Sequence, residues 1–255
     1  MGVDNSSEHQ RLSVPIEGDS PKQSFKLLRR LLPRRMHPYA RGIRKWLLKE
    51  GHRDSEPFNV TYLYTQVSRL RQDSILEKAS QLVADGVEGD FVECGVLDGG
   101  TAALLAYAAR HDDRRIHLFD AWEGLPKATE KDGAGAGRWV GDVVGSPKRV
   151  TSVLRKVGAN MENVVIHRGW FHETFPHAYV EKIAFLHVDC DFYDPTLLVL
   201  KTFVDRIVSG GYVQIDDYTS FEGCRQAVNE FTAARPDITL NVDDRSGGPT
   251  FFRMG

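Results

Sequence analysis

The chain has 255 residues, 41% of them hydrophobic and 27% charged, which is enough to bury one sizeable core or at most two small ones and excludes collagen, coiled-coil and disordered classes. Lys and Arg total 33 against 35 Asp and Glu, a formal net charge of −2, so no whole-molecule field recruits nucleic acid. The three cysteines, Cys94, Cys190 and Cys224, are odd in number and lie in apolar stretches, and no apolar run reaches the roughly 18 to 20 residues that span a bilayer, which points to a cytoplasmic protein without disulfides or a membrane span.

Residues 1 to about 24 are polar and read as a flexible tail, with no apolar stretch of the secretion-signal kind. From 21 to 53 eleven Lys or Arg face one acid, Glu50, so this segment carries +10 against −12 for the rest. Leu27, Leu28, Leu31 and Leu32, and after Pro33 Tyr39, Ile43, Trp46 and Leu47, recur at helical spacing and predict two short amphipathic helices. Such helices dock on the acidic body or a second subunit, lie on a membrane surface or polyanion, or form a lid over an anionic substrate. The helical region extends over 25–85, and its last helix, about 66 to 85, stops at Asp85-Gly86.

After residue 60, from that helix onward, the pattern becomes βαβ. Apolar runs at Phe91 to Cys94, Ile116 to Phe119, Val164 to Ile166, Ile183 to Val188 and Tyr212 to Ile215 alternate with helices at about 100–110, 147–157, 195–208 and 221–234. Ile238 to Val242 and Thr250 to Arg253 are two further extended candidates. The fold class is therefore α/β, a doubly wound, mostly parallel, Rossmann-like sheet over 86–255 with an antiparallel edge and N-terminal helices. The stretch KDGAGAGRWVGDVVGS at 131–146 reads as a mobile loop.

In such sheets ligands bind beyond the carboxyl ends of the strands. The first turn, Glu93 to Gly100, exposes helix N-terminal amides but lacks the G-x-G-x-x-G pattern, and Asp98 stands where a pyrophosphate would pass. A nucleoside without phosphates fits better, with Asp120 at the end of the second strand accepting from both ribose hydroxyls. Trp122 and Trp170 follow strand ends and stack on a base or line its pocket, unless they belong to the core.

Four carboxylates, Asp189, Asp191, Asp216 and Asp217, crowd two neighbouring strand ends; residues i and i+2 on a strand face the same side, so Asp189 and Asp191 can converge, and the neighbouring strand brings Asp216 and Asp217 beside them. So much negative charge repels, takes up protons or binds a divalent cation, and oxygen donors without Cys or His favour Mg²⁺, Mn²⁺ or Ca²⁺. Helix capping is the competing role, and Asp194 before Pro195 reads as such a cap. His167, His172, His177 and His187 are rival bases, with His172 expected to face the cleft.

At these strand ends the sequence resembles the macrocin O-methyltransferase (TylF-type) family. The matching stretches run from Gly89 to Val96 (GDFVECGV), Phe119 to Pro126 (FDAWEGLP), Gly169 to Phe171, Val188 to Tyr193 (VDCDFY) and Gly210 to Tyr218 (GGYVQIDDY), so the resemblance covers about 60 to 255. It implies a class I methyltransferase using S-adenosyl-L-methionine and Mg²⁺. Glu93, Gly95 and Gly99 would lie along the methionine and ribose, Asp120 on the ribose hydroxyls, and Gly169 and Trp170 near the adenine. Asp189, Asp216 and Asp217 would hold Mg²⁺, with Asp191 as general base. It also implies a sugar hydroxyl as acceptor in natural-product (antibiotic) biosynthesis and a homo-oligomer, with a dimer as the simplest case. This chain has His187 and Cys190 where the antibiotic-sugar enzymes usually carry Arg and Gly. A catechol-like diol is the alternative acceptor. A nicotinamide-dependent oxidoreductase would want a phosphate-accepting turn and a Tyr-x-x-x-Lys pair, and neither is present; a non-catalytic scaffold is hard to square with the intact carboxylates.

Overall fold

Five apolar runs separated by helical segments become five parallel strands: β1 (Asp90–Cys94), β2 (Ile116–Asp120), β3 (Val164–Arg168), β4 (Ile183–Val188) and β5 (Ile207–Ile215). Two more, β6 (Asn241–Val242) and β7 (Thr250–Arg253), close the edge, giving the order β3-β2-β1-β4-β5-β7-β6. β7 runs antiparallel to β5 and to β6, the expected antiparallel edge. The computed structural model describes residues 32–255; the tail expected over 1–24 and the first amphipathic helix, expected at Leu27, Leu28 and Leu31, lie outside them. Arg34–Gly255 forms one compact unit.

The period of two along each strand sorts side chains between two cores. Phe91, Leu118, Phe185 and Tyr212 face one side, beneath α3 (Arg69–Ala84), α4 (Gly100–Ala108) and α5 (Pro147–Lys156). Val92, Phe119, Leu186, Val213 and Phe252 face the other, beneath the short α6 (Phe171–Thr174), α7 (Tyr193–Phe203) and α8 (Glu222–Ala233). The same register carries polar residues at the carboxyl ends: Glu93 pairs with His187, and His187 with Gln214, in a buried row on the α3 side.

Several boundaries differ from the sequence pattern. The expected helix over 195–208 stops at Phe203, and after a 3-10 turn at Val204–Arg206 the chain enters β5 at Ile207, because Val204 and Ile207 prolong the helical spacing while filling the second core. The strand expected from Ile238 shrinks to two exposed residues, since the Ile238 N–H turns back to the Arg235 carbonyl. The loop at 131–146 contains a 3-10 turn, Ala136–Trp139, and makes backbone hydrogen bonds from Gly141 N–H to Leu125 O and from Ser146 N–H to Leu97 O.

Before the sheet lie α1 (His37–Leu48) and the short α2 (Phe58–Thr61). On α1 the small residues Pro38 and Gly42 are buried, and Arg41 reaches Asp98 and the Val144 carbonyl. Its apolar stripe of Tyr39, Ile43, Trp46 and Leu47 is exposed, so the helix docks on the body by its small and cationic residues rather than by that stripe. Among the described residues no helix is long and apolar enough to cross a membrane.

Candidate active site

The cleft is an open volume of about 1300 Å³ at the carboxyl ends of the parallel strands, walled by turns that the sequence forces into unusual backbone shapes. Gly95, just past β1, has φ 90°, and a Cβ there would lie 1.7 Å from the Asp189 carbonyl oxygen, so only glycine lets β1 and β4 close at this point. Leu97, Trp122 and Asp191 also take positive φ, at 53°, 55° and 58°. Such values turn side chains out of the strand alternation.

Asp120 organises the first turn. Its Oδ2 accepts the N–H groups of Val96 at 2.8 Å and Leu97 at 2.9 Å, and its Oδ1 that of Trp122 at 2.6 Å. Burial pushes its carboxyl up and these amides pull it back. Asp120 lines the cleft with lone pairs to spare, while amides that could have met a phosphate are occupied. Asp98 does not stand in a pyrophosphate's path as expected: its carboxylate is turned into the protein, ion-paired to Arg41 at 3.1 Å and Arg149 at 3.4 Å.

Gly95, Asp120, Gly169 and Trp170 line the cleft together with Asp189, Asp191, Asp216 and Asp217. Glu93, Gly99 and Trp122 stand behind its wall. Glu93 is buried and bonds His187 Nδ1 at 2.8 Å, Gly99 starts α4, and Trp122 is a core residue whose Nε1–H donates to Leu97 O at 2.8 Å. None of the four rival histidines lines the cleft; the His172 side chain is 73% exposed, beside Glu173, and does not face the cleft as expected. His187 belongs to the buried row behind it, where the Glu93 hydrogen bond and charge outweigh burial and raise its pKa.

Asp189, Asp216 and Asp217 bring one oxygen each within 4.8 Å of one another. Arg71 Nη1 donates to Asp216 Oδ2 at 3.0 Å, and Asp216 Oδ1 is buried with no hydrogen-bond partner among the described residues. The Asp191 N–H donates to Asp217 Oδ2 at 3.0 Å. The reasoning that placed Asp191 two residues along a strand from Asp189 does not hold, because β4 ends at Val188 and Asp191 is in a left-handed turn, outside the three-oxygen cluster. Burial, then the neighbouring acids, raises Asp189 and Asp191 well above the carboxylate range and takes Asp217 to about 7. Crowded hard oxygens and an unpartnered buried Oδ1 fit a small divalent cation. Thiolate ligation is disfavoured, because burial pushes up all three thiols and Cys190 Sγ points to the Cys94 carbonyl.

Sequence patterns missed several wall residues. Arg71 lies on α3, on the same helical stripe as buried Ile75, Ala79 and Leu82, and that cation on an apolar face was the available signal. Trp139 and Phe221 meet edge to face at 6.1 Å across loops far apart in sequence. The cap expected from Asp194 is absent, since Asp194 sits inside the first turn of α7; the buried Asp132 supplies the cap from a distance, accepting the Tyr193 N–H at 2.6 Å.

Residues 30–253 match the family described as Macrocin-O-methyltransferase (TylF). The 8-demethyl-8-(2,3-dimethoxy-alpha-L-rhamnosyl)-tetracenomycin-C 4'-O-methyltransferase of Streptomyces olivaceus is 31% identical over 74% of this chain and 75% of that protein. The demethyldecarbamoylnovobiocin O-methyltransferase of Streptomyces niveus is 31% identical over 72% and 74%. The solved structure of the O-methyltransferase NovP superposes with a TM-score of 0.67 at 28% identity, covering 75% of this chain and 82% of that one. The chain belongs to the macrocin O-methyltransferase family and is an O-methyltransferase, which sets aside the oxidoreductase and scaffold readings.

Proposed function

We propose that this member of the macrocin O-methyltransferase family moves a methyl group from S-adenosylmethionine to a sugar hydroxyl of a natural product, in antibiotic biosynthesis. In this reading Asp191 is the general base and Asp189, Asp216 and Asp217 hold Mg²⁺. The observation that carries it is the meeting of three carboxylate oxygens within 4.8 Å, in the same cleft as the turn built on Gly95 and Asp120. The relative from Streptomyces olivaceus, named for 4'-O-methylation of a rhamnosyl tetracenomycin, supports a sugar-bearing acceptor.

S-adenosylmethionine supplies an electrophilic methyl group on a sulfonium. Bound Mg²⁺ supplies a fixed positive charge that lowers the pKa of a nearby hydroxyl. Gly95, Asp120, Gly169 and Trp170 form the donor end, with Glu93, Gly99 and Trp122 bracing it from behind. Asp191 takes the acceptor proton: it lines the cleft and its carboxyl stands outside the three-oxygen cluster. Leu125, Pro126 and Phe171 add apolar wall that excludes water.

Three buried free thiols suit a cytoplasmic enzyme, and the exposed stripe on α1 suits the contact of a homo-oligomer. Incubating the protein with S-adenosylmethionine, Mg²⁺ and a panel of glycosylated polyketides and free catechols tests the acceptor. One methyl gained on a sugar supports the reading; methylation of catechols alone, or of nothing, contradicts it.

A further inference from the structure

We infer that Arg71 sets which divalent cation the carboxylate cluster accepts, by restricting Asp216 to one ligand oxygen. The inference rests on the reading of Asp189, Asp216 and Asp217 as metal ligands and assigns a positioning role to a residue outside them.

Arg71 is held on every side. Its side chain is 8% exposed. Nη1 donates to Asp216 Oδ2 at 3.0 Å, Nη2 to Thr219 Oγ1 at 2.9 Å, and Nε to the Gly248 carbonyl at 3.1 Å. Its own carbonyl accepts from Gln214 Nε2 at 3.1 Å, and Gln214 Oε1 accepts from Ser74 Oγ at 2.7 Å one turn along α3. A planar guanidinium with this many fixed partners is not free to swing off Oδ2.

The fixed guanidinium sets its positive charge against Oδ2 and repels a cation there, so Asp216 offers Oδ1, the buried oxygen that has no hydrogen-bond partner among the described residues. Asp216 thus presents a single oxygen to an ion in the cluster. That suits Mg²⁺, which is small, near-octahedral and content with single carboxylate oxygens and water, whereas Ca²⁺ takes six to eight oxygens and favours carboxylates that use both. Removing the guanidinium releases Oδ2 and lets Asp216 close on an ion with both oxygens. It also removes a positive charge, which strengthens both cations alike, so the ratio of the two affinities reports the geometry while the absolute affinities report the charge.

The test is calorimetric titration of MgCl₂ and CaCl₂ into the wild-type chain, Arg71→Met and Arg71→Lys, with circular dichroism melts to establish folding. In Arg71→Met the ratio of Ca²⁺ to Mg²⁺ affinity should rise about tenfold or more. In Arg71→Lys, which keeps the charge as a single-point donor, the rise should be smaller. A ratio that stays within about threefold of wild type in Arg71→Met overturns the inference while leaving the cluster a metal site. If Arg71→Met does not fold, a crystal structure of the wild-type protein with Ca²⁺ decides: Asp216 bound through one oxygen with Arg71 on the other supports the inference, and a two-oxygen Asp216 overturns it. Wild-type protein that takes up neither cation overturns the metal reading itself, and this inference with it.

Discussion

The main-chain N–H of Asp191 donates to Asp217 Oδ2, so candidate base and candidate ligand are joined through backbone and the Asp191 carboxylate stays available to the acceptor. Asp191→Asn keeps that hydrogen bond. Its turnover should fall by about 10²- to 10⁴-fold, the range for a lost general base. Mg²⁺ affinity measured by calorimetry should stay within about tenfold, the change left by one neighbouring charge. Wild-type turnover in Asp191→Asn would take the proton-transfer role away from this residue.

Metal uptake should depend on pH. Burial, then the charge of Asp216, raises the Asp217 carboxyl to about 7, and a cation must displace its proton. The folded value lies above the usual one, so the protonated form dominates below about 7 and competes with the ion. Mg²⁺ affinity should therefore climb from about pH 6 to pH 8 by up to tenfold per unit for each proton displaced. A flat profile across that window would contradict the crowding of these acids.

Acid sensitivity should appear at β3. His167 stacks on Phe119 at 4.1 Å and shares a 3.0 Å hydrogen bond with His117, whose other ring nitrogen faces Asp90 at 3.3 Å. Burial, then His117, lowers His167 from 6.5 to about 4. Between those values the unfolded chain binds the proton and the folded chain does not, so stability is complete above about pH 6.5 and drains away as pH falls toward 4. Allowing for partial exposure, the loss should be about 1 to 2 kcal/mol. Urea midpoints at about pH 7.5 and pH 5 should show His167→Phe losing less than wild type by that amount; equal losses would refute the assignment.

Gly95→Ala should damage both ends of the cleft at once. Its methyl group would meet the Asp189 carbonyl oxygen at 1.7 Å, with φ at 90°, and neither strand end can retreat without unpairing β1 from β4. Destabilisation should be about 3 kcal/mol or more by chemical denaturation. A loss below about 1 kcal/mol would show that the two ends move apart easily.

How far the sequence reached follows from what a local pattern encodes. Alternating and continuous apolar runs placed five parallel strands and their crossovers, because burial on two faces dictates them. Carboxylates after β4 and β5 converged because neighbouring strands end side by side. Direction within the turns was not legible: Leu97, Trp122 and Asp191 take left-handed φ, which sends Trp122 into the core and moves Asp191 out of the alternation. Nor could spacing reveal partners brought by the tertiary fold. Arg71 meets an acid 145 residues away, and Asp132 caps a helix from 61 residues away. Asp98 turns inward because Arg41 and Arg149, one from α1 and one from α5, meet beneath the first turn.

The most direct test is titration of Mg²⁺ into the protein at about pH 8, where Asp217 is ionised, in wild type and in Asp217→Asn, each with S-adenosylhomocysteine binding measured in parallel. One-site uptake by wild type that disappears in Asp217→Asn, with both proteins still binding S-adenosylhomocysteine, is the predicted result. No uptake by wild type, or equal uptake by the variant, would contradict a cation held at the ends of β4 and β5.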